Sequence, residues 1–122
     1  MAGIALAAGV MALATAPALA DSASISGGVV RHTVVDYTTA RTITVSGSDI
    51  WFQKTDGPEI DLRWRTCSNS AFGGWTNFAN ADPTGWQTLG TDFLSSTVFC
   101  LSSYSYGTNG TDTFAGTLEW NV

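Results

Sequence analysis

Charge is scarce in this sequence and unevenly signed: 12% of its 122 residues are charged, five Lys and Arg against ten Asp and Glu, for a formal net charge of −5. That balance excludes the basic footprint needed for nucleic acid or for an anionic membrane face, so neither is an expected partner. Histidine occurs once, as His32, inside a β-prone run. No Ser or Cys nucleophile motif gives it a partner, so its place in a strand is read as incidental and nucleophilic catalysis is not expected. Cysteine occurs twice, as Cys67 and Cys100. Two thiols and one imidazole do not complete a tetrahedral zinc set at a recognised spacing, and no metal or other cofactor is expected. A sustained helical period and an internal repeat are missing too, which excludes bundles and solenoids.

The first 20 residues, MAGIALAAGVMALATAPALA, carry no charged side chain and end in Ala18-Leu19-Ala20 before Asp21. An apolar core followed by small-x-small is the pattern of a secretory signal peptide, although the usual Lys or Arg ahead of the core is absent. The run is too alanine-rich and too abruptly ended for a membrane span. The expectation is a signal peptide over 1–20 and a single all-β domain over 21–122, secreted and not membrane-inserted after cleavage. In an oxidising compartment Cys67 and Cys100 are then expected to pair, which in the chain-entropy account adds roughly 3 to 4 kcal/mol.

Along the domain, Val29 to Tyr37 is dense in β-branched residues and Arg41 to Ser46 alternates polar with apolar, giving two expected strands. Ile50-Trp51-Phe52 forms a third before Lys54 to Pro58 breaks it. Glu59 to Thr66 alternates most cleanly, with Ile60, Leu62 and Trp64 on a core face and Asp61, Arg63 and Arg65 on a polar one. On that parity Cys67 falls on the polar side, so a bulge or the strand end is expected before it can staple inward. Residues 68–85 read as the longest loop. Trp86 to Leu89, Val98 to Tyr106 and Thr113 to Trp120 supply further strands, and Asn109-Gly110 within 107–112 is a hairpin signal. Six to eight short strands at this spacing point to an antiparallel β-sandwich or small barrel with one disulfide.

Asp56, Glu59 and Asp61 could serve as a carboxylate pair for glycoside cleavage, or their turn could hold Ca²⁺. An exposed ion-pair ladder with Arg63 explains them more simply. Trp64, Trp120, Phe114 and Phe99 lie in strand patterns and are read as core. Phe72, Trp75 and Phe78 sit in the glycine-rich stretch, where three large rings are not easily all buried; they are the candidate binding residues, for a sugar face or a protein partner, against the alternative of a satellite core. A second candidate is the arm Asp21 to Gly28 with the run after it, which would either add to another protein's sheet edge or form this domain's own first strand.

The leader and the segments Trp64-Arg65-Thr66-Cys67, Gly85-Trp86-Gln87-Thr88-Leu89, Val98-Phe99-Cys100-Leu101 and Gly116-Thr117-Leu118-Glu119-Trp120-Asn121-Val122 resemble small single-disulfide β-sandwich proteins secreted by actinomycetes. The likeness spans roughly residues 60–122. Among such proteins are the small adaptor subunits of umbrella-shaped toxin particles, which join a lectin subunit to a large repeat-built subunit. The resemblance implies a secreted, noncatalytic binding or assembly module acting on a secreted or cell-surface protein, a lectin or repeat protein included, or on a glycan. The alternative is a secreted inhibitor of an amylase or protease, because Arg63-Trp64-Arg65 resembles the Trp-Arg-Tyr element of amylase inhibitors. That reading requires those side chains exposed on a rigid turn.

Overall fold

The computed structural model describes residues 20–122; the expected signal peptide lies outside the described residues except for Ala20. Nine strands follow in chain order: β1 Asp21–Val30, β2 Val34–Asp36, β3 Arg41–Thr42, β4 Ser48–Asp56, β5 Ile60–Thr66, β6 Thr76–Phe78, β7 Gln87–Phe93, β8 Val98–Ser105 and β9 Thr111–Trp120. One antiparallel sheet has the order β1-β9-β4-β7; the other has β2-β8-β5-β6, with β3 pairing β8 alongside β2. The two sheets pack face to face as a β-sandwich, stapled by the Cys67–Cys100 disulfide. Among the described residues no helix is long and apolar enough to cross a membrane.

Period-two patterning builds the core. Ile50 and Phe52 of β4, Leu89 and Phe93 of β7, and Phe114 and Leu118 of β9 face Ile60 and Leu62 of β5, Phe78 of β6, and Phe99 and Leu101 of β8, all buried. Phe52 meets Phe78 and Phe114 edge to face, with ring centroids 5.2 and 6.0 Å apart, the geometry that ring quadrupoles favour. Trp64 and Trp120 pack partly buried against this cluster.

Every connection except β2 to β3 and β5 to β6 passes from one sheet to the other. The turn at 107–110 therefore does not make the expected hairpin: β8 ends in one sheet and β9 begins in the other, paired with β1 and β4. A turn signal fixes a reversal, and which strands then pair is decided by the two hydrophobic faces. The crossing from β4 to β5 turns at Gly57, whose φ of 110° lies where glycine is favoured and whose Cα side is closed off by Phe114 and the Thr113 carbonyl.

The N-terminal arm is the domain's own first strand: β1 pairs with β9 from Asp21↔Trp120 to Val30↔Thr111. The expected strand from Val29 to Tyr37 is broken at Arg31–Thr33, where His32 takes φ 53° and the chain changes sheets. The expected strand over Arg41 to Ser46 shortens to β3, because beyond it the Thr44 and Val45 amides donate to the Asn121 Oδ1 side chain at 2.8 and 3.3 Å and not to a strand.

The disulfide needs no bulge. Arg65 lies directly opposite Cys100, and directly opposed residues share a face. Cys67, two residues beyond Arg65, reaches Cys100 on the polar face of the second sheet, not in the core. Arg65 is folded in beside it, 3% exposed, donating to the Tyr37 carbonyl at 2.6 Å, the Cys67 carbonyl at 3.1 Å and Asn69 Oδ1 at 2.9 Å.

Candidate functional site

After Cys67 the chain does not wander as a loop. The Thr66 amide donates to the Ala71 carbonyl at 2.9 Å, and the Thr66 hydroxyl accepts from the Ser70 and Ala71 amides, closing a tight turn. The returning segment pairs back along β5 through an Arg65↔Phe72 bridge and a Gly73 amide bond to the Trp64 carbonyl, then as β6 opposite Leu62, Asp61 and Ile60. Gly73 lies flat on the Trp64 indole, and any Cβ there would collide with it. Trp64 in turn meets Phe93 edge to face at 5.0 Å. A glycine and a partly buried indole thus set the height of the returning segment over the sheet.

That pairing places Phe72 and Trp75 on the outer face of the second sheet, on either side of Arg63. The guanidinium carbon is 4.3 Å from the centre of each ring. Phe72 is 48% and Trp75 39% exposed. The row continues from Trp75 to Tyr104 at 6.5 Å and from Tyr104 to Tyr106 at 5.1 Å, with His32 stacked on Tyr104 at 6.2 Å. His32 lies in the left-handed turn between β1 and β2, not in a strand, and that turn sets it against this row. Phe78 does not share the surface. It points inward from β6 and is fully buried, because the odd–even alternation of Thr76, Asn77 and Phe78 sends it to Phe52.

The carboxylates at the other end of β5 form no ion-pair ladder with Arg63. Asp61 accepts from the Tyr106 hydroxyl at 2.7 Å and from the Asn77 amide at 3.0 Å, and Asn77 also donates to Glu59 at 3.0 Å. Among the described residues the ion pairs are Lys54–Asp82 and Arg65–Asp36. Glu59, with Asp56, Asp82 and Asp112, borders an open cavity of about 390 Å³ next to Tyr106. No three His, Cys, Asp or Glu side chains among the described residues converge to hold a metal ion.

The bond to Asp61, helped by burial and by the charge of the same carboxylate, pushes the Tyr106 phenol up from its ordinary 10.0 to about 12. A phenol whose folded value is raised favours the fold while protonated. Its contribution is complete below pH 10.0 and disappears as pH rises through about 12. Asp61→Asn is expected to bring the Tyr106 ionisation back towards the ordinary value, read from the tyrosinate ultraviolet absorbance against pH; an unmoved titration would contradict the assignment of that hydrogen bond.

Tyr104 and Tyr106 were not singled out as site residues by sequence, and Arg63 only within the inhibitor-like Arg63-Trp64-Arg65 element. The signal was present: Arg63 is outward on β5 by parity, and Tyr104 and Tyr106 share one side of the run from Val98. What sequence did not supply is the register that brings Phe72, Trp75 and Tyr104 around Arg63. Comparison with protein-family models finds none that matches the chain, and comparison with curated proteins finds none either.

Proposed function

We propose that this chain is a secreted, noncatalytic binding or assembly module that engages a protein partner through the ridge Phe72–Arg63–Trp75. The observation that carries this reading is the clamp itself: two exposed rings held in fixed positions by a guanidinium between them and by a β-paired segment beneath. Rigid aromatics with an arginine at their centre are the composition of interface hot spots, since little side-chain entropy remains to be lost on binding. A protein partner is favoured over a glycan because one face of each ring is already taken by Arg63. Trp75 has Arg63 against it and Tyr104 beside it, and Phe72 has Arg63, so the row offers fewer of the broad open faces on which a pyranose stacks. The inhibitor alternative loses support here: Trp64 turns inward and Arg65 is buried, so the three residues do not project together from a turn. The resemblance to actinomycete adaptor subunits supports the same reading, with a lectin or repeat-built subunit as the partner it implies.

The test is affinity purification of the tagged mature protein from its native secretome, with mass spectrometry. A stoichiometric partner is expected. Trp75→Ala is expected to weaken its capture by about 30-fold, the loss of a hot-spot ring worth about 2 kcal/mol, with little change in the unfolding midpoint. A clean monomer, or capture indifferent to Trp75, would overturn the proposal and direct attention to glycan arrays and hydrolase inhibition.

A further inference from the structure

The two arginines on the outer face of β5 are treated differently by the fold. A partly desolvated guanidinium normally finds a carboxylate or several carbonyl acceptors, because removing water from a charge without replacing its hydrogen bonds is costly. Arg65 has this at its terminal nitrogens: the Thr66, Cys67 and Tyr37 carbonyls and the Asn69 side chain, with Asp36 at 3.7 Å from an Nε that is otherwise unbonded. Arg63 has none of it. Its Nε, like that of Arg65, is shut away from water without a hydrogen bond, but no acceptor or carboxylate among the described residues engages any part of its guanidinium. Asp61, two residues away on the same face, is turned to Tyr106 and Asn77 instead.

Phe72 and Trp75 flank the guanidinium 4.3 Å away on either hand, holding its plane while giving it no hydrogen bond. Of its nitrogens only Nε is both buried and unbonded, and the terminal Nη groups, which have no hydrogen-bond partner among the described residues, keep some access to solvent. A planar fork fixed in orientation, with its outer edge free and aromatic walls beside it, is complementary to a planar carboxylate received in two parallel hydrogen bonds. The surroundings also set the ligand's charge. Asp61 and Glu59 stand on the same face and the chain carries a net charge of −5, which disfavours a dianion or a polyanionic surface and leaves room for one carboxylate.

We propose that the slot between Phe72 and Trp75 receives a single aspartate or glutamate side chain of the protein partner, bound edge-on by Arg63. This rests on the reading of the ridge as the binding face and adds the chemistry of what it binds.

Heteronuclear NMR of the mature protein tests it directly, titrating N-acetyl-glutamate methylamide, its glutamine counterpart, methyl glucuronide and inorganic phosphate. The glutamate compound is expected to move the Arg63 side-chain and Trp75 indole N–H signals saturably, with a dissociation constant of about a millimolar and at least about 10-fold stronger than the glutamine compound. Arg63→Gln is expected to abolish the response, and Arg63→Lys to weaken it about 5-fold or more, because an ammonium lacks the planar fork. An unchanged Trp64 indole signal checks that each variant is folded. Equal responses to glutamate and glutamine, or no saturable response to glutamate, would overturn the proposal. Tighter binding of glucuronide or phosphate would overturn the assignment to a protein carboxylate and point to an acidic sugar or a phosphate. Partner capture separates this inference from the reading beneath it: loss with Trp75→Ala but not with Arg63→Gln removes the carboxylate and keeps the binding face, whereas indifference to both removes the face as well.

Discussion

Replacing Cys67 and Cys100 together by alanine is expected to lower the unfolding free energy by about 3 to 4 kcal/mol. The bond closes a loop with a sequence separation of 33, and that loop contains β6 in one sheet and β7 in the other. Cross-linking it removes from the unfolded chain many conformations in which the β5–β8 pairing and the inter-sheet crossings are lost. For a domain of this size that is a large share of a total of about 5 to 15 kcal/mol. Urea unfolding of the double variant, and of the native protein with and without reductant, measures it. The effect is expected to reach the ridge, because Cys67 lies within the Thr66–Ala71 turn that returns Phe72 to β5. A loss below about 1 kcal/mol would mean that the unfolded chain is already restrained between these positions or that the bond is strained in the fold.

Lys54→Met is expected to cost about 3 kcal/mol, the second largest effect. Lys54 continues the inward parity of Ile50 and Phe52, and it is fully buried. Its ammonium donates to the Gly57 carbonyl at 2.8 Å, the Ala81 carbonyl at 3.1 Å and Asp82 Oδ1 at 2.9 Å, so one side chain ties the β4–β5 turn to the segment before β7. Methionine fills the space of the stem and leaves two carbonyls without their donor. Asp82 is 44% exposed and turns to water when its partner goes, so it adds little, and Asp82→Asn is expected to cost less than about 1 kcal/mol. Thermal or urea unfolding of the two variants compares them; a larger loss from Asp82→Asn than from Lys54→Met would show that the ion pair, not the carbonyl cage, holds this corner.

The alternation of Ile60, Leu62 and Trp64 with Asp61, Arg63 and Arg65 is the clearest case of structure legible in sequence. A half-buried strand needs period two, and β5 follows it from Ile60 to Arg63; at its end the outward Arg65 is nonetheless buried, folded in beside the disulfide. Phe99, Phe114 and Leu118 were legible for the same reason. Phe78 was not, since a three-residue strand inside a glycine- and asparagine-rich stretch shows too few repeats for its parity to be read. The ends of β1 and β3 escaped for a different reason. His32 breaks its run locally with a left-handed turn, whereas Asn121 serving the Thr44 and Val45 amides is a long-range substitution for strand pairing, 77 residues away in the case of Thr44.

By itself the sequence determined the fold class, the pairing of the two cysteines and the inward or outward sense of the longer strands, because each follows from local periodicity or from having a single possible partner. The tertiary structure alone decided which sheet each strand joined, which face carried the disulfide, and that Arg63 stands between Phe72 and Trp75 without a counter-charge among the described residues. Those depend on register, and register is set by the fit of two whole hydrophobic faces against each other, a condition spread over the full chain and written in no single segment of it.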